Sequence, residues 1–237
     1  MVGLARLRLK HVWPRPTLLR CQRNQACVLD PSPSADTQFS AELECGSNGF
    51  LAVVRFYGKA GERSLDLLRW GLVPFWAKDL KVGFANINAK AEGIETRPAF
   101  CEAFQRRRCL VPVDGFYEWK KTASGKQPYA IALSDRRLMA LAGLWENRRS
   151  PAGEWVRSFA IITTTPNELC AQLHNRMPVV LKPESWPVWL GEEPAEPFAL
   201  KALLAPLPSE EMTCWPVSAR VGNVKNNDAS LIEPIAA

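Results

Sequence analysis

From Leu51 onward the chain is a succession of short apolar runs broken by glycine, proline and Asp-Gly punctuation, and this narrows the fold more than any other feature. Runs of this length, rich in β-branched and aromatic residues and bounded by turn signals, are strands, and closely spaced runs pair as hairpins. LAVVRFYG and SLDLLRWGLV are two such runs joined by the turn Gly58–Lys59–Ala60–Gly61. Residues 109–113, 116–121 (after the Asp114–Gly115 turn), 129–133, 138–145, 157–164 and 179–181 continue the series, with a loop over 122–127. Helical periodicity is confined to short stretches. Residues 97–107 place Ala99, Phe100, Ala103 and Phe104 on one face. A second helix is expected after Thr165, with Thr165 as N-cap, Pro166 in the first position and Glu168 completing a capping box. Residues 183–190 form a third, and the tail CWPVSARVGNVKNND reads as loop. The expectation is α+β: a single domain with a largely antiparallel, barrel-like β-sheet and a few short helices, spanning residues 51–237.

Residues 1–50 have a different character. No helical or strand period lasts ten residues, and the segment is expected to be an atypical, poorly ordered N-terminal stretch. Arg6, Arg8, Lys10, Arg15, Arg20 and Arg23 meet no acidic residue before Asp30 and account for the whole net charge of +6. The remainder is neutral, so nucleic-acid binding by the main body must come from a local patch. No apolar run is long enough to span a membrane. The seven cysteines form no C-x-x-C pair and neither of the two histidines lies at metal-ligand spacing from one, which argues against a zinc site or a disulfide framework. No cofactor or metal is expected, and the protein is read as a cytoplasmic monomer, nucleoid-associated in action and without a transit peptide.

His174 lies between a helix end and a strand in QLHNRMPVVL, where an imidazole can move protons near neutral pH or interact with the helix dipole. Glu118, in DGFYEWKK, shares a strand face with Phe116 and would point inward, where burial suits a carboxyl to acid–base work; the alternative is an edge glutamate paired with Lys120 or Lys121. Asn88 alternates with Asn86 in FANINAKAE, and the two would share one strand face or serve a turn. Most of the nine tryptophans belong to the core, but Trp76 lies in a loop between Pro74 and Lys78, the setting in which an aromatic ring stacks on an unpaired base.

LLRWGLVPFWAKD, NINAKAE, CLVPVDGFYEWKK, LHNRMPVVL and PVSARVGNVKNND, in this order, resemble the SOS-response-associated peptidase (SRAP) family, the abasic-site processing proteins, over about residues 51–235. The resemblance implies a barrel-like α+β domain that binds single-stranded DNA containing abasic sites and reacts with their aldehydes through an N-terminal cysteine exposed by removal of the initiator methionine. It implies that Asn88 positions the N-terminal residue, that Glu118 acts as acid–base in self-processing and cross-linking, and that His174 handles protons in Schiff-base formation and strand cleavage. Phe75 and Trp76 would be the stacking wedge. Lys90, where the family usually has arginine, and Arg176 would meet phosphate, the lysine keeping the charge without the bidentate fork.

The family begins Met-Cys-Gly-Arg, whereas this chain begins Met1-Val2-Gly3-Leu4 and lacks the R-Y-N-x-A-P-like segment in residues 20–50. A shifted frame or wrong start is the favoured explanation, ahead of a genuine replacement. An amine at Val2 could form an imine but could not close a thiazolidine, so a lyase rather than a stable cross-linker is expected. The alternatives are a non-catalytic single-stranded DNA-binding relative and, ranked below it, a Cys–His peptidase using His174 with Cys101, Cys109 or Cys170.

Overall fold

The structure is a computed structural model that describes residues 49–123, 125–150, 153–223, 226 and 228–235, and the backbone of three short strands, β1 (Gly3–Leu4), β2 (Leu7–Arg8) and β3 (Glu42–Leu43). The expectation for residues 1–50 otherwise lies outside the described residues. The hairpin read after Leu51 is present as β4 (Phe50–Tyr57) and β5 (Glu62–Trp70), paired antiparallel over their full length around the predicted turn. Beyond it come β6 (Asn88–Lys90), β7 (Arg108–Val113), β8 (Phe116–Thr122), β9 (Gly125–Leu133), β10 (Met139–Arg149), β11 (Trp155–Thr164), β12 (Met177–Pro178) and β13 (Met212–Pro216).

β10, β7, β4, β5 and β11 neighbour one another in that order, and β11 pairs back onto β10, closing a five-stranded barrel. Closure removes the two open edges that such apolar strands would otherwise present. Within the barrel only the β5–β11 pairing is parallel, through Ser158–Arg69 and Phe159–Trp70. Further along the same edge of β11, β6 replaces β5, and on the other edge β12 replaces β10. A second, antiparallel sheet runs β1–β8–β9–β13.

Strand alternation divides the core. Val54, Leu110, Ala142, Leu144 and Ile162 lie under three short helices, α1 (Cys101–Arg106), α3 (Trp186–Leu190) and α4 (Pro197–Ala202), which contribute Phe104, Trp189 and Leu200. The opposite strand faces contribute Leu51, Val53, Val111, Leu141 and Phe159 to a cluster that Phe116 and Ile131 of the second sheet join. At one end of that face Arg55 is buried, ion-paired to Asp66 at 2.8 Å and stacked 4.3 Å from the Trp145 ring centroid.

Several local expectations are corrected. The helix predicted over 97–107 is shorter, because residues 98–100 form turns ahead of α1. The 122–127 loop is tighter, since Thr122 already pairs with Gly125. Asn167, not Thr165, caps α2 (Glu168–Ala171), its side chain accepting from the Cys170 amide while its own amide donates to the Leu207 carbonyl. The strand expected at 179–181 is displaced to β12, with Val180 making only an isolated bridge to Leu141. The tail is not all loop, because β13 pairs with β9. Asn86 and Asn88 do not share a strand face: Asn86 ends a 3-10 turn and β6 starts at Asn88. Of the tryptophans, only Trp189 is fully buried among the described residues, and Trp155 joins Trp76 at the surface.

Candidate active site

Both faces of β8 are covered. Phe116 packs in the core cluster shared with the barrel, while Tyr117 packs on the other side with Trp119, Trp215, Val217 and Ile232. Glu118, alternating with Tyr117, is therefore carried inward on the Phe116 side and is 2% exposed. Its Oε1 has no hydrogen-bond partner among the described residues. Burial pushes the Glu118 carboxyl above the usual carboxylate range, with the neighbouring His174 acting in the opposite sense. The alternative of a pair with Lys120 or Lys121 is not realised; the ionisable side chain beside Glu118 is His174, with Nδ1 3.8 Å from Oε1.

His174 owes its place to α2. Asn167 fixes the start of this single turn, and the His174 amide donates to the Cys170 carbonyl at 2.9 Å, ending it. His174 Nδ1 lies 3.2 Å from both the backbone amide and the carbonyl oxygen of Arg176, so either neutral tautomer finds a partner there and the ring is held by the Arg176 backbone. With its side chain 37% exposed and Glu118 at 3%, the imidazole stands between solvent and a buried carboxyl. Their separation is too long for a hydrogen bond but short enough for each charge to be felt by the other.

Asn88, Lys90 and Arg176 converge on the end of β11. Asn88 is in register with Ile161, and its Oδ1 is buried without a partner among the described residues. Lys90, in register with Thr163, is exposed. Arg176 approaches Thr163 too, donating to its carbonyl at 2.5 Å and forming a fork on Glu92 at 2.8 and 2.9 Å. Phe75 and Trp76 are carried by a different element, the excursion 72–86 between β5 and β6, and are 56% and 52% exposed. Glu92, which holds Arg176, and Arg148, which donates to the Ala77 and Lys78 carbonyls behind the aromatic pair, were not singled out from sequence. Each reads there as an ordinary surface charge.

Among the described residues, Cys109 and Cys170 are poor candidates for a nucleophile. Burial drives the thiol of Cys109 up steeply and that of Cys170 to about 12, whereas a reactive cysteine needs a lowered value. No group of metal-ligating side chains is found among the described residues, and none of their helices is long and apolar enough to cross a membrane.

A closed mixed barrel with an added antiparallel sheet, carrying a buried carboxyl beside a half-exposed imidazole, defines a single-domain α+β protein. The family model for the SOS response associated peptidases (SRAP) matches residues 18–224, and the chain belongs to that family. It is 43% identical over 170 residues to the abasic site processing protein YoqW of Bacillus subtilis, covering 71% of this chain and 76% of that protein. To the abasic site processing protein YedK of Escherichia coli it is 32% identical over 172 residues, covering 72% and 75%. A crystal structure of a protein from Bacteroides thetaiotaomicron superposes with a TM-score of 0.72 at 25% identity, over 80% of this chain and 82% of that one.

Proposed function

We propose that the chain processes abasic sites in single-stranded DNA, its N-terminal amine condensing with the ring-opened sugar aldehyde while Glu118 and His174 move the protons. The observation that carries this reading is a pair of buried acceptors, Asn88 Oδ1 and Glu118 Oε1, that find no partner among the described residues and lie beside a histidine. Buried polar atoms are almost always hydrogen-bonded, and exceptions mark places where a ligand belongs. An amine is a donor of the kind both atoms lack. β1 supports its delivery: Gly3 pairs with Tyr117, the neighbour of Glu118, and residue 2 is one peptide bond from Gly3. The names of the relatives supply the substrate class.

In this reading the amine nitrogen bonds to the aldehyde carbon, and the carbinolamine loses its hydroxyl as water on protonation by His174, giving an imine. Loss of a proton from the adjacent carbon expels the 3′ phosphate, which cleaves the strand. Glu118 would also act as base in removing Met1. Phe75 and Trp76 stack on bases, and Lys90 and Arg176 meet phosphates. A chain maturing to Val2 brings an amine and no thiol, so its imine hydrolyses or eliminates and closes no thiazolidine.

The test is incubation with a single-stranded oligonucleotide bearing one abasic site, with and without borohydride. Borohydride-dependent trapping and strand scission are expected, with scission falling roughly 100-fold or more in Glu118→Gln and in His174→Ala. An adduct that survives heat without borohydride would refute the lyase form of the reading. The exposed Phe75 and Trp76 would equally serve a second reading, a module that shields single-stranded DNA without chemistry; wild-type protein that binds the oligonucleotide but is never trapped would establish it.

A further inference from the structure

Phe84 is 71% exposed, more than either Phe75 or Trp76, yet the backbone beneath it is fixed. It follows Gly83 in a 3-10 turn, Leu80–Ala85, whose start is capped by Asp79 accepting from the Lys81 amide. Gly83 packs so closely on Gly71 that a Cβ on either would lie 2.6 Å from the other's carbonyl oxygen. At the base of the excursion the Leu72 amide donates to the Asn86 carbonyl, and the Asn86 side chain donates back to the Leu72 carbonyl, both at 3.1 Å. A large ring held outward on a rigid support contributes nothing to the core and is pre-organised to meet something else.

Its surroundings indicate what. The Arg69 guanidinium stacks 5.7 Å from the Phe84 ring centroid. Phe50, in register with Arg69, and Leu67, two residues earlier on the same strand face, are 39% and 49% exposed and extend the apolar floor. Lys78 and Lys81 are exposed on the same excursion, and its one acidic residue, Asp79, is engaged as the cap. Flat apolar rings interleaved with cations are the chemistry of single-stranded nucleic-acid binding: a base stacks on the ring and the adjoining phosphate is neutralised. Three cations around the ring favour a polyanionic partner over a purely apolar one. The excursion also runs directly from Phe84 through Asn86 into Asn88 of the candidate site.

We infer that Phe84 and Arg69 form a second base-stacking position, additional to Phe75–Trp76, that takes a nucleobase of the single strand leading to the site; the inference rests on the proposed function. The test is anisotropy of a labelled, undamaged oligothymidylate of about 16 nucleotides with intact protein. Phe84→Ala should weaken binding roughly 5- to 100-fold, Phe84→Trp should restore it, and Arg69→Gln should weaken it and flatten its salt dependence. Phe198→Ala, which removes an exposed ring on α4, should bind as wild type does. If wild type binds and Phe84→Ala binds equally well, the second position is overturned while the proposed function stands, and the Phe50–Leu67–Phe84 surface belongs to a protein partner. If wild type binds no oligothymidylate, the proposed function itself fails.

Discussion

His174 Nδ1 stands 3.8 Å from Glu118 Oε1, one side chain partly in solvent and the other closed off from it. Burial raises the folded-state pKa of Glu118, while the unfolded value stays near 4.3. The fold therefore prefers the protonated carboxyl. The stability that Glu118 contributes is fully present below about pH 4.3 and is lost as pH rises through the raised folded value. Glu118→Gln has no charge to bury, so its unfolding midpoint should match wild type most closely at about pH 4. The midpoint should then pull ahead as pH rises and hold a constant lead beyond the folded value. Thermal melts of both proteins across that range check this. A pH-independent difference would mean that Glu118 titrates as freely in the fold as in the unfolded chain.

Arg176 is already occupied. Its fork lies on Glu92, whose carboxyl it holds below the usual range, and its second terminal nitrogen also reaches the Thr163 carbonyl. If Arg176 meets phosphate as proposed, phosphate competes with Glu92, which is 54% exposed and costs little to displace. Glu92→Gln should tighten oligothymidylate binding about 2- to 5-fold at low salt, the worth of an exposed ion pair, and steepen the salt dependence by about 0.7 of a log unit per log unit. A titration at several salt concentrations reads both. If binding and slope stay as in wild type, Arg176 is a structural tie between β11 and the loop carrying Glu92.

Much of this was legible in the chain. Glu118 could be placed inward because Phe116, two residues away, had to be buried, and His174 could be placed at a helix end because the apolar pattern stops there. What failed to show depends on residues distant in sequence. The parallel β5–β11 pairing within the barrel joins segments about ninety residues apart, and no local pattern announces it. Thr165 has every local qualification for a cap, but Asn167 wins because its amide also satisfies the Leu207 carbonyl across the fold. β13, with its terminal Pro216, is a strand only because β9 offers it an edge. Lys90 and Arg176 looked like equals, yet one is exposed and the other held by a carboxylate, a difference set by Glu92.

Arg148 is 5% exposed and donates to the Ala77 carbonyl at 2.7 Å and the Lys78 carbonyl at 3.0 Å. The Val73 amide on the same excursion donates to Ser158 Oγ at 2.8 Å, so both ends of the Phe75–Trp76 loop are tied to the barrel. Arg148→Met should lower unfolding free energy by about 2–4 kcal/mol, because charge-assisted bonds to carbonyls are lost. Amide exchange over residues 77–81 should accelerate more than in β4, and oligothymidylate affinity should fall. Exchange-mass spectrometry separates the local effect from the global one, and uniform acceleration would show that Arg148 supports the barrel rather than the loop.

Gly71 and Gly83 set the sharpest steric demand on the excursion. Gly71 has φ +107°, where a side chain is strained in any case, whereas Gly83 is glycine solely because of contact: its Cβ would meet the Gly71 carbonyl oxygen at 2.6 Å and Val73 Cγ2 at 3.2 Å. The nearer obstacle is backbone and cannot swing away. Gly83→Ala must therefore spread the base of the excursion and stretch the Leu72–Asn86 hydrogen bonds, for a loss of about 1–3 kcal/mol. Gly58→Ala, whose Cβ would meet nothing nearer than a Phe56 ring carbon at 3.9 Å, is the matched control and should stay within about 0.5 kcal/mol of wild type. Because Phe84 follows Gly83 directly and Asn88 begins the next strand, Gly83→Ala should weaken oligothymidylate binding even at temperatures where the protein is fully folded. Denaturant titrations and anisotropy on the same preparations decide it. A Gly83→Ala protein as stable and as tight-binding as the control would mean that the two backbones yield easily, and that the aromatic ledge is not held rigid by this contact.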